Sequence, residues 1–286
     1  MSDVTTIVNP ATGATVAEIT LEGAAEADAA VARSVDAGPG WRAVAPADRA
    51  RLLRRFAAQV EENGEELAQL ETANVGKPIT DSRDEVAMVA EVLYFYAGAV
   101  DKHRGSTVPV AGGADMTFHE PLGVVAAIVP WNFPLAITSW KVAPALATGN
   151  TIVVKPAEIT PMSALRLAEL ALDAGIPDGV LQVVAGKGSV LGSRLVEHPD
   201  VAKVAFTGST EVGREVMARA SGTIKRVTLE LGGKSASIVF ADADLEAAAA
   251  ATPGGVFANA GQDCCARSRV LVQRSVLDRY LGLLAD

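Results

Sequence analysis

The apolar residues in the first third of the chain follow a helical spacing. Between residues 26 and about 101 they recur at intervals of three and four, as in "DRARLLRRFAAQVEENGEELAQLETANVG", which also carries an acid-rich face. This periodicity is typical of amphipathic α-helices. Gly76, followed by Lys77 and Pro78, predicts a helix end, because glycine readily adopts the left-handed conformation that terminates a helix. The pattern therefore predicts a helical N-terminal section.

From residue 123 onward, short runs rich in β-branched residues alternate with helical patterns. The runs are "GVVAAIV", "NTIVVK", "GVLQVV", "KVAFTG", "RVTLEL" and "SASIVF", separated by stretches such as "PMSALRLAELALDAG". Buried parallel strands joined by helices produce this alternation. The predicted fold class is α/β, with a doubly wound, Rossmann-like parallel sheet after the helical section. Such sheets bind ligands at the carboxyl ends of their strands, so the loops after these runs are candidate sites.

Composition narrows the possible partners. With 286 residues, 49% of them hydrophobic, the chain can bury the core of one large domain or of two. Its 34 acidic and 25 basic residues give a net charge of -9, which argues against binding nucleic acid or an anionic membrane. The opening "MSDVTTIVNPATG" lacks a secretory signal pattern, and the apolar runs are too interrupted to span a bilayer. We expect a cytoplasmic protein that binds small molecules.

The chain has two cysteines, and they are adjacent. A disulfide between Cys264 and Cys265 would close almost no loop, so we expect thiol chemistry instead of a structural crosslink. The three histidines, His103, His119 and His198, lie outside the loops that follow the predicted strands. We interpret His119 and His198 as surface or strand residues, which disfavours a Cys-His hydrolase. We expect no metal site.

Three of the candidate loops contain patterns that nucleotide-binding proteins use. "TLELGGKS" does not form a phosphate-binding P-loop, because Thr228 stands where that motif needs its first glycine. "GKGSVLG", with Gly186, Gly188 and Gly192, suits a pyrophosphate turn but has one residue too many for GxGxxG. An ordinary strand-to-helix turn explains it equally well. In "FTGSTEVG", Ser209 and Thr210 stand where they can cap the next helix.

Five motifs in order, "PWNFP", "KPAE", "FTGSTEVG", "LELGGK" and "GQDCCARSR", resemble those of the NAD(P)-dependent aldehyde dehydrogenase superfamily. The resemblance assigns residues 1–106 and 125–231 to an NAD-binding domain and 107–124 to oligomerisation strands. Residues 232–286 would be the N-terminal portion of a catalytic domain, the beginning of a second α/β unit. Family members continue well beyond "RSVLDRYLGLLAD", so the resemblance implies that this chain is truncated. It also implies that the full-length protein is a homodimer or a homotetramer.

The resemblance implies catalytic roles for three residues. In the family pattern GQxC, the cysteine is the nucleophile, which corresponds to Cys264. The resemblance makes Glu230 the base. It also implies that the Asn132 amide and the Cys264 backbone N–H stabilise the oxyanion. General chemistry agrees, because a thiol with an ordinary pKa of about 8.5 needs activation and an oxyanion needs fixed donors. The alternative for Cys264 is a buried small hydrophobic residue, and this is the favoured interpretation of Cys265. Without the motifs, Asn132 would be interpreted as a turn residue.

The resemblance also implies a nicotinamide cofactor, NAD in preference to NADP. Lys155 and Glu158 in "KPAE" are similar to the pair that holds the adenosine ribose, where a carboxylate accepts the 2′-hydroxyl and repels a 2′-phosphate. Away from this motif they would be interpreted as surface residues near a helix start. The cofactor-binding residues that the resemblance implies are Trp131, Lys155, Glu158, Gly188, Gly208 and Ser209.

The implied reaction is oxidation of an aldehyde to its carboxylic acid with NAD, through a thiohemiacetal and a thioester on Cys264. "NAGQDC" is similar to the aminobutyraldehyde and betaine aldehyde dehydrogenase motif, and Asp263 favours a cationic aldehyde; Trp140 is a second candidate substrate residue. Two alternatives stay open: a catalytically inactive truncated homologue that only binds nucleotide or a partner, and a CoA-acylating semialdehyde dehydrogenase. Glu230 favours the hydrolytic reaction.

Overall fold

The computed structural model describes residues 3–285. The strands are β1 (Val4–Val8), β2 (Thr15–Thr20), β3 (Thr107–Val110), β4 (Gly113–Met116), β5 (Val124–Ile128), β6 (Thr151–Lys155), β7 (Leu181–Val183), β8 (Val201–Gly208), β9 (Arg226–Leu231), β10 (Ala236–Val239) and β11 (Arg269–Val272). The α-helices are α1 (Ala24–Ala43), α2 (Pro46–Glu62), α3 (Gly64–Val75), α4 (Ile79–Ala99), α5 (Pro134–Ala147), α6 (Met162–Asp173), α7 (Ser193–Glu197), α8 (Thr210–Ala220), α9 (Leu245–Phe257) and α10 (Leu277–Ala285).

The helical N-terminal section is confirmed, since α1 to α4 occupy the predicted region. Helix α3 ends at Val75, and Gly76 has a φ of 84°, the left-handed conformation predicted for a helix end. A side chain at Gly76 would also collide with Pro10, because an added Cβ would lie 2.6 Å from the Pro10 Cγ. The antiparallel β1–β2 hairpin before α1 was not predicted.

The predicted doubly wound sheet is confirmed. Its five strands run in the order β7-β6-β5-β8-β9, and every neighbouring pair is parallel. Alternate residues of β5 enter different cores: Val125 and Ala127 pack with α2 to α6, whereas Val124 and Ala126 pack with α1, α7 and α8. Because both faces of β5 are covered, its sequence is continuously apolar.

The sixth apolar run, "SASIVF", does not join this sheet. It forms β10, which pairs in parallel with β11 from Ala236 opposite Arg269 to Val239 opposite Val272. Helices α9 and α10 pack beside this two-stranded sheet around a small separate core that includes Leu245. The apolar pattern alone groups this run with the other five, because such a run predicts a strand but not its partner. The resemblance instead places residues 232–286 in a second α/β unit. The domain boundaries themselves stay a prediction.

An exposed antiparallel hairpin joins the helical section to the main sheet. All eight residues of β3 and β4 are exposed, so this ribbon lies outside both large cores. The predicted segment 107–124 overlaps the main sheet by one residue, since Val124 already belongs to β5. A role for this hairpin in oligomerisation stays a prediction. Among residues 3–285, no helix combines the length and apolar character needed to cross a membrane.

Candidate active site

A cleft of about 1440 Å³ lies at the carboxyl ends of β8 and β9, beside α5. Its walls include part of α5, the loop before it and the loop that carries the cysteines. The residues predicted from sequence that line this cleft are Trp131, Asn132, Trp140, Gly208, Ser209, Glu230, Asp263 and Cys264. The other three predicted residues, Lys155, Glu158 and Gly188, lie together at the end of β6, outside this set of lining residues.

Asn132 lies in the loop between β5 and α5, where Pro134 begins the helix as proline is suited to do. Its side-chain nitrogen donates a 2.8 Å hydrogen bond to the carbonyl of Gln262, which is 130 residues away in sequence. Asn259 strengthens this connection, because its side chain donates to the Asn132 carbonyl at 2.8 Å and to the Gln262 carbonyl at 3.1 Å. The predicted oxyanion donor and the cysteine loop are thus held by one hydrogen-bond network.

The turn before the cysteines has a strained backbone. Asn259, Ala260 and Gly261 have φ values of 51°, 57° and 77°, in the left-handed region that favours glycine. Such non-glycine residues cost on the order of 1–3 kcal/mol each, so their surroundings must hold them in place. Asn259 is buried, and its backbone N–H donates to the Asp81 carboxylate at 3.1 Å. Sequence reasoning did not select Asn259, although it is the first residue of the quoted motif "NAGQDC".

The two thiols are close together, with their Sγ atoms 3.8 Å apart. Both cysteines are exposed, so the interpretation of Cys265 as a buried small hydrophobic residue is wrong. An Asp263 carboxylate oxygen accepts a 2.9 Å hydrogen bond from the Cys265 backbone N–H, which fixes the carboxylate against the turn. Partial desolvation, the hydrogen bond with the Cys265 thiol and the charge of Asp263 together raise the pKa of Cys264 to about 11. A base is therefore needed to produce a thiolate here at neutral pH.

Glu230 lies near the end of β9, on the face of the strand that opens into the cleft. Next to it the cleft contains Lys141 of α5, a residue that the sequence analysis missed. Desolvation lowers the pKa of Lys141 to about 8, while the charge of Glu230 opposes this shift and that of Lys203 adds to it. A lysine that titrates near neutral pH beside a carboxylate is common in functional sites. Only the fold places this helix residue beside a strand end.

A buried ion cluster supports the Asn132 loop from behind. Lys77 is bonded to both Glu71 and Glu85, and its ammonium lies 4.7 Å from the centre of the Phe133 ring. Glu85 also accepts a 3.0 Å hydrogen bond from the Ala136 backbone N–H in the first turn of α5. Burial, followed by the charge of Glu71, raises the pKa of Glu85 to about 7. Sequence periodicity alone indicates none of these contacts.

Lys155 and Glu158 are brought together with Gly188. Glu158 accepts a 2.7 Å hydrogen bond from the Gly188 backbone N–H, and an added Cβ at Gly188 would lie 3.8 Å from the Lys155 Nζ. Lys155 is only 4% exposed, so the alternative of a surface lysine is wrong. Desolvation lowers its pKa, and the Glu158 charge opposes that effect. This leaves a desolvated ammonium near a carboxylate at a strand end, which suits the hydroxyl groups of a ribose.

The nearby glycines have different structural reasons. Gly186 approaches the backbone of Glu22 so closely that an added Cβ would lie 2.2 Å from its carbonyl oxygen. Close packing is therefore a sufficient reason for a glycine at position 186, and a pyrophosphate-binding role is not needed to explain this residue of "GKGSVLG". Gly188 begins a π-helical turn that extends to Gly192 and leads directly into α7.

The loop between β8 and α8 also suits a nucleotide. Ser209 accepts a 3.2 Å hydrogen bond from the Val212 backbone N–H, which confirms the predicted helix cap. An added Cβ at Gly208 would lie 2.5 Å from the Phe206 ring. The buried Thr207 hydroxyl has no hydrogen-bond partner within residues 3–285. A helix N-terminus favours phosphate, so this loop is chemically suited to a pyrophosphate, as the Lys155–Glu158 pair is to a ribose.

The histidines do not contribute to the cleft. His119 is exposed and its ring lies 4.0 Å from that of His103. The interpretation of His198 as a surface or strand residue is wrong, because it is 7% exposed and lies in the loop between α7 and β8. Its Nδ1 accepts a hydrogen bond from the Asp200 backbone N–H, which explains its burial. In the described structure, none of the three histidines lines the cleft with the cysteines.

The family profile described as "Aldehyde dehydrogenase family" matches residues 2–286. The chain belongs to the aldehyde dehydrogenase family. It is 47% identical over 283 residues to the NADP/NAD-dependent aldehyde dehydrogenase PuuC of Escherichia coli, covering 97% of this chain and 57% of that protein. It is also 47% identical over 289 residues to the phenylacetaldehyde dehydrogenase of Pseudomonas fluorescens, covering 98% of this chain and 58% of that protein.

Solved structures agree with this family assignment. The crystal structure of PnpE in complex with nicotinamide adenine dinucleotide superimposes with a TM-score of 0.96 at 47% identity, covering 99% of this chain and 58% of PnpE. The indole-3-acetaldehyde dehydrogenase complexed with NAD+ gives a TM-score of 0.96 at 44% identity, with the same coverage of 99% and 58%. The chain thus spans a little over half the length of these aldehyde dehydrogenases.

Proposed function

We propose that this chain forms the cofactor-binding and thiol-bearing part of an NAD-dependent aldehyde dehydrogenase that oxidises an aldehyde to the carboxylic acid. The observation that carries the proposal is that Asn132, Glu230 and Cys264, from three distant segments, line one cleft with the Gly208–Ser209 loop. Thiol, amide and carboxylate are the three groups that acyl chemistry through a cysteine requires. Family membership and the NAD complexes of PnpE and indole-3-acetaldehyde dehydrogenase support it.

The reaction begins with activation of Cys264. With its pKa raised to about 11, the thiol is protonated at neutral pH. Glu230 removes this proton, directly or through one water, because both side chains line the same cleft. The thiolate then attacks the aldehyde carbonyl carbon, forming a C–S bond and an oxyanion.

The oxyanion is stabilised by the Asn132 amide together with the Cys264 backbone N–H. One hydrogen of the Asn132 amide is directed to the Gln262 carbonyl, and the other remains for substrate. Because Gln262 lies two residues before Cys264, the same contact holds the amide near the nucleophile. The network therefore aligns donor and thiol before substrate binds.

NAD fits the residues outside the thiol site. Lys155 and Glu158 would hold the adenosine ribose next to Gly188, and Gly208 and Ser209 would contact the pyrophosphate at the start of α8, with Trp131 at the cleft wall. When bound, the nicotinamide supplies the hydride acceptor for the oxidation. Glu158 favours NAD over NADP, because its carboxylate would face the 2′-phosphate.

Glu230 acts a second time in the release of product. Oxidation leaves an acyl group on Cys264 as a thioester, and Glu230 removes a proton from the attacking water. The C–S bond breaks, the acid departs and the thiol is restored. A CoA-acylating enzyme would instead transfer the acyl group to a second thiol, and the carboxylate in the cleft favours water.

The substrate we propose is a cationic aldehyde, such as an aminoaldehyde or betaine aldehyde. Asp263 supplies a negative charge next to the thiol, and Trp140, which is 51% exposed, supplies an aromatic surface in the same cleft. At about 6 Å and an effective dielectric constant near 20, a carboxylate attracts a cation by about 3 kcal/mol before desolvation. An uncharged aldehyde gains none of this attraction.

The wider organisation is also a proposal. Residues 1–106 and 125–231 would form the NAD-binding domain, 107–124 would contribute to oligomerisation and 232–286 would begin the catalytic domain. The exposed β3–β4 hairpin and the separate core of β10, β11, α9 and α10 support this division. The complete enzyme would be a cytoplasmic homodimer or homotetramer that binds neither nucleic acid nor membrane.

The test separates cofactor binding, acylation and turnover. NAD binding to residues 1–286 is measured by quenching of tryptophan fluorescence, with Glu158→Gln as the variant. NADH formation is compared between this chain and a version completed with the C-terminal part of PuuC. Cys264→Ala and Glu230→Gln should each abolish turnover in the completed protein, and neither should leave an acylated cysteine detectable by mass spectrometry at neutral pH, because Glu230 is needed to form the thiolate. Unchanged turnover in Cys264→Ala would refute the proposal, and NAD binding without any turnover would favour the inactive homologue.

A further inference from the structure

The spacing of the two thiols matches that of two ligands on one metal ion. The Sγ atoms of Cys264 and Cys265 lie 3.8 Å apart. A tetrahedral zinc ion with Zn–S bonds of about 2.3 Å holds its two sulfur ligands about 3.8 Å apart. A disulfide would instead need the sulfurs at about 2.05 Å, together with an oxidant. The side chains are thus already separated as a dithiolate metal site requires.

A third ligand lies beside the two thiols. One carboxylate oxygen of Asp263 and both sulfur atoms all lie within 4.8 Å of one another. The hydrogen bond from the Cys265 N–H to an Asp263 oxygen holds this carboxylate in place and leaves its second oxygen available. Both cysteines are exposed, so solvent can occupy a fourth position. Two sulfurs and one carboxylate are a ligand set that suits zinc.

We propose that Cys264, Cys265 and Asp263 form a binding site for a thiophilic divalent cation, Zn²⁺, in the wall of the cleft. On binding, two S–H bonds break, two Zn–S bonds form and both protons pass to solvent, with no change in oxidation state. The ion is an external ligand and not a cofactor of the reaction, and the proposal departs from the sequence-based expectation of no metal site.

The loop that carries the three ligands is held before the ion arrives. Gln262 directly precedes them, and its side chain donates to the Asn259 carbonyl at 3.1 Å and to the Val75 carbonyl at 3.4 Å. Its own carbonyl accepts from Asn132 and Asn259. A fixed loop loses little conformational entropy on binding an ion.

The electrostatic environment also favours a cation. The Asp263 carboxylate lies beside both sulfur atoms, and a divalent cation bound between them would compensate its negative charge.

The consequence for catalysis rests on the proposed function. A bound ion would occupy the Cys264 sulfur that attacks the aldehyde, so Zn²⁺ would block the reaction reversibly until a chelator removes it. Binding itself requires neither the cofactor nor the reaction. Measurements of metal binding on residues 1–286 therefore stand even if the chain proves inactive.

The first experiment measures the affinity for metal directly. Zn²⁺ is titrated into residues 1–286 in competition with a chromophoric chelator, and Cd²⁺ is used to record the ultraviolet cadmium–thiolate band. We expect one ion per chain. Mutation of a residue that only supports a metal ligand typically lowers metal affinity about 10- to 100-fold. Cys265→Ser removes a direct ligand, so it should weaken Zn²⁺ binding at least about 100-fold. Asp263→Asn should weaken it about tenfold and keep the cadmium–thiolate band.

A control removes two neighbouring histidines that do not line the cleft. The His103→Ala, His119→Ala double variant eliminates rings that lie 4.0 Å apart, away from the cysteines. It should bind Zn²⁺ within threefold of the parent. A large loss in this control, or affinity within threefold of the parent in Cys265→Ser, would overturn the proposal. So would one ion shared by two chains, detected as a metal-dependent dimer by light scattering.

A second readout locates the ion. Equimolar Zn²⁺ should slow alkylation of Cys264 and Cys265 by iodoacetamide at least tenfold, as followed by peptide mass spectrometry, and a chelator should restore the rate. In Cys265→Ser the protection of Cys264 should disappear. Equal alkylation rates with and without Zn²⁺ in the parent protein would show that the thiols do not bind the ion.

Discussion

Replacing Lys141 by methionine should stabilise the protein at neutral pH. The pKa of this lysine falls from 10.5 to about 8 in the folded chain, chiefly because the ammonium is desolvated. At about 1.4 kcal/mol per pKa unit, that difference corresponds to up to about 3 kcal/mol of the free energy of unfolding. Methionine keeps most of the apolar stem without a charge, so the variant avoids this cost.

The sign of the pH dependence follows from the direction of the shift. Below about pH 8, Lys141 is charged in the folded and in the unfolded state, so the full desolvation penalty lowers the free energy of unfolding. As the pH rises toward 10.5, the lysine loses its proton and the penalty disappears. The advantage of Lys141→Met should therefore be largest at pH 7 and shrink between pH 8 and 10.5. Urea unfolding at pH 7 and at pH 10 measures it, with the exposed Lys234→Met as the control. A variant that is less stable than the parent at pH 7 would refute the reasoning.

Three further predictions concern the cofactor and the thiol. Glu158→Gln should improve NADP affinity relative to NAD about 5- to 100-fold, because removing a like charge is worth on the order of 1–3 kcal/mol; titration with both cofactors measures the ratio, and an unchanged ratio would contradict it. Gly208→Ala should lower the free energy of unfolding by about 1–3 kcal/mol and weaken NAD binding, because the new Cβ would lie 2.5 Å from the Phe206 ring. Unfolding and NAD-binding curves equal to those of the parent protein would contradict this prediction. In a completed enzyme, Cys264→Ser should abolish aldehyde oxidation and Cys265→Ser should retain it, as NADH formation will show.

Local patterns in the sequence were sufficient to predict the features that depend on nearest neighbours. Gly76 ends α3 because a left-handed residue closes a helix, and Ser209 caps α8 because its hydroxyl reaches the first turn. The continuous apolar runs of β5 and β6 likewise indicate strands covered on both faces. These features require no knowledge of which distant segments meet.

Features that depend on distant contacts were not predictable in this way. The run that forms β10 has the composition of a sheet strand, yet its partner is β11 and not the main sheet. Lys141 is the one charged residue of the largely apolar α5, and only the fold brings this helix to the cleft that contains Glu230. His198 is buried because the backbone of Asp200 and a neighbouring Asp28 supply polar contacts, which no local pattern shows.

The cofactor-binding residues and the thiol site of the candidate active site are positioned by different means, so substitutions affect them differently. Lys155 is the last residue of β6 and Ser209 directly follows β8, and both strands belong to the five-stranded sheet, so the sheet itself fixes them. The relation between Asn132 and Cys264 instead depends on one hydrogen bond to Gln262 and on the strained turn at Asn259. A substitution in that turn would displace the oxyanion donor and the nucleophile together, since the same carbonyl connects them. Loss of catalysis from such a substitution, with cofactor affinity retained, is the response that this arrangement dictates.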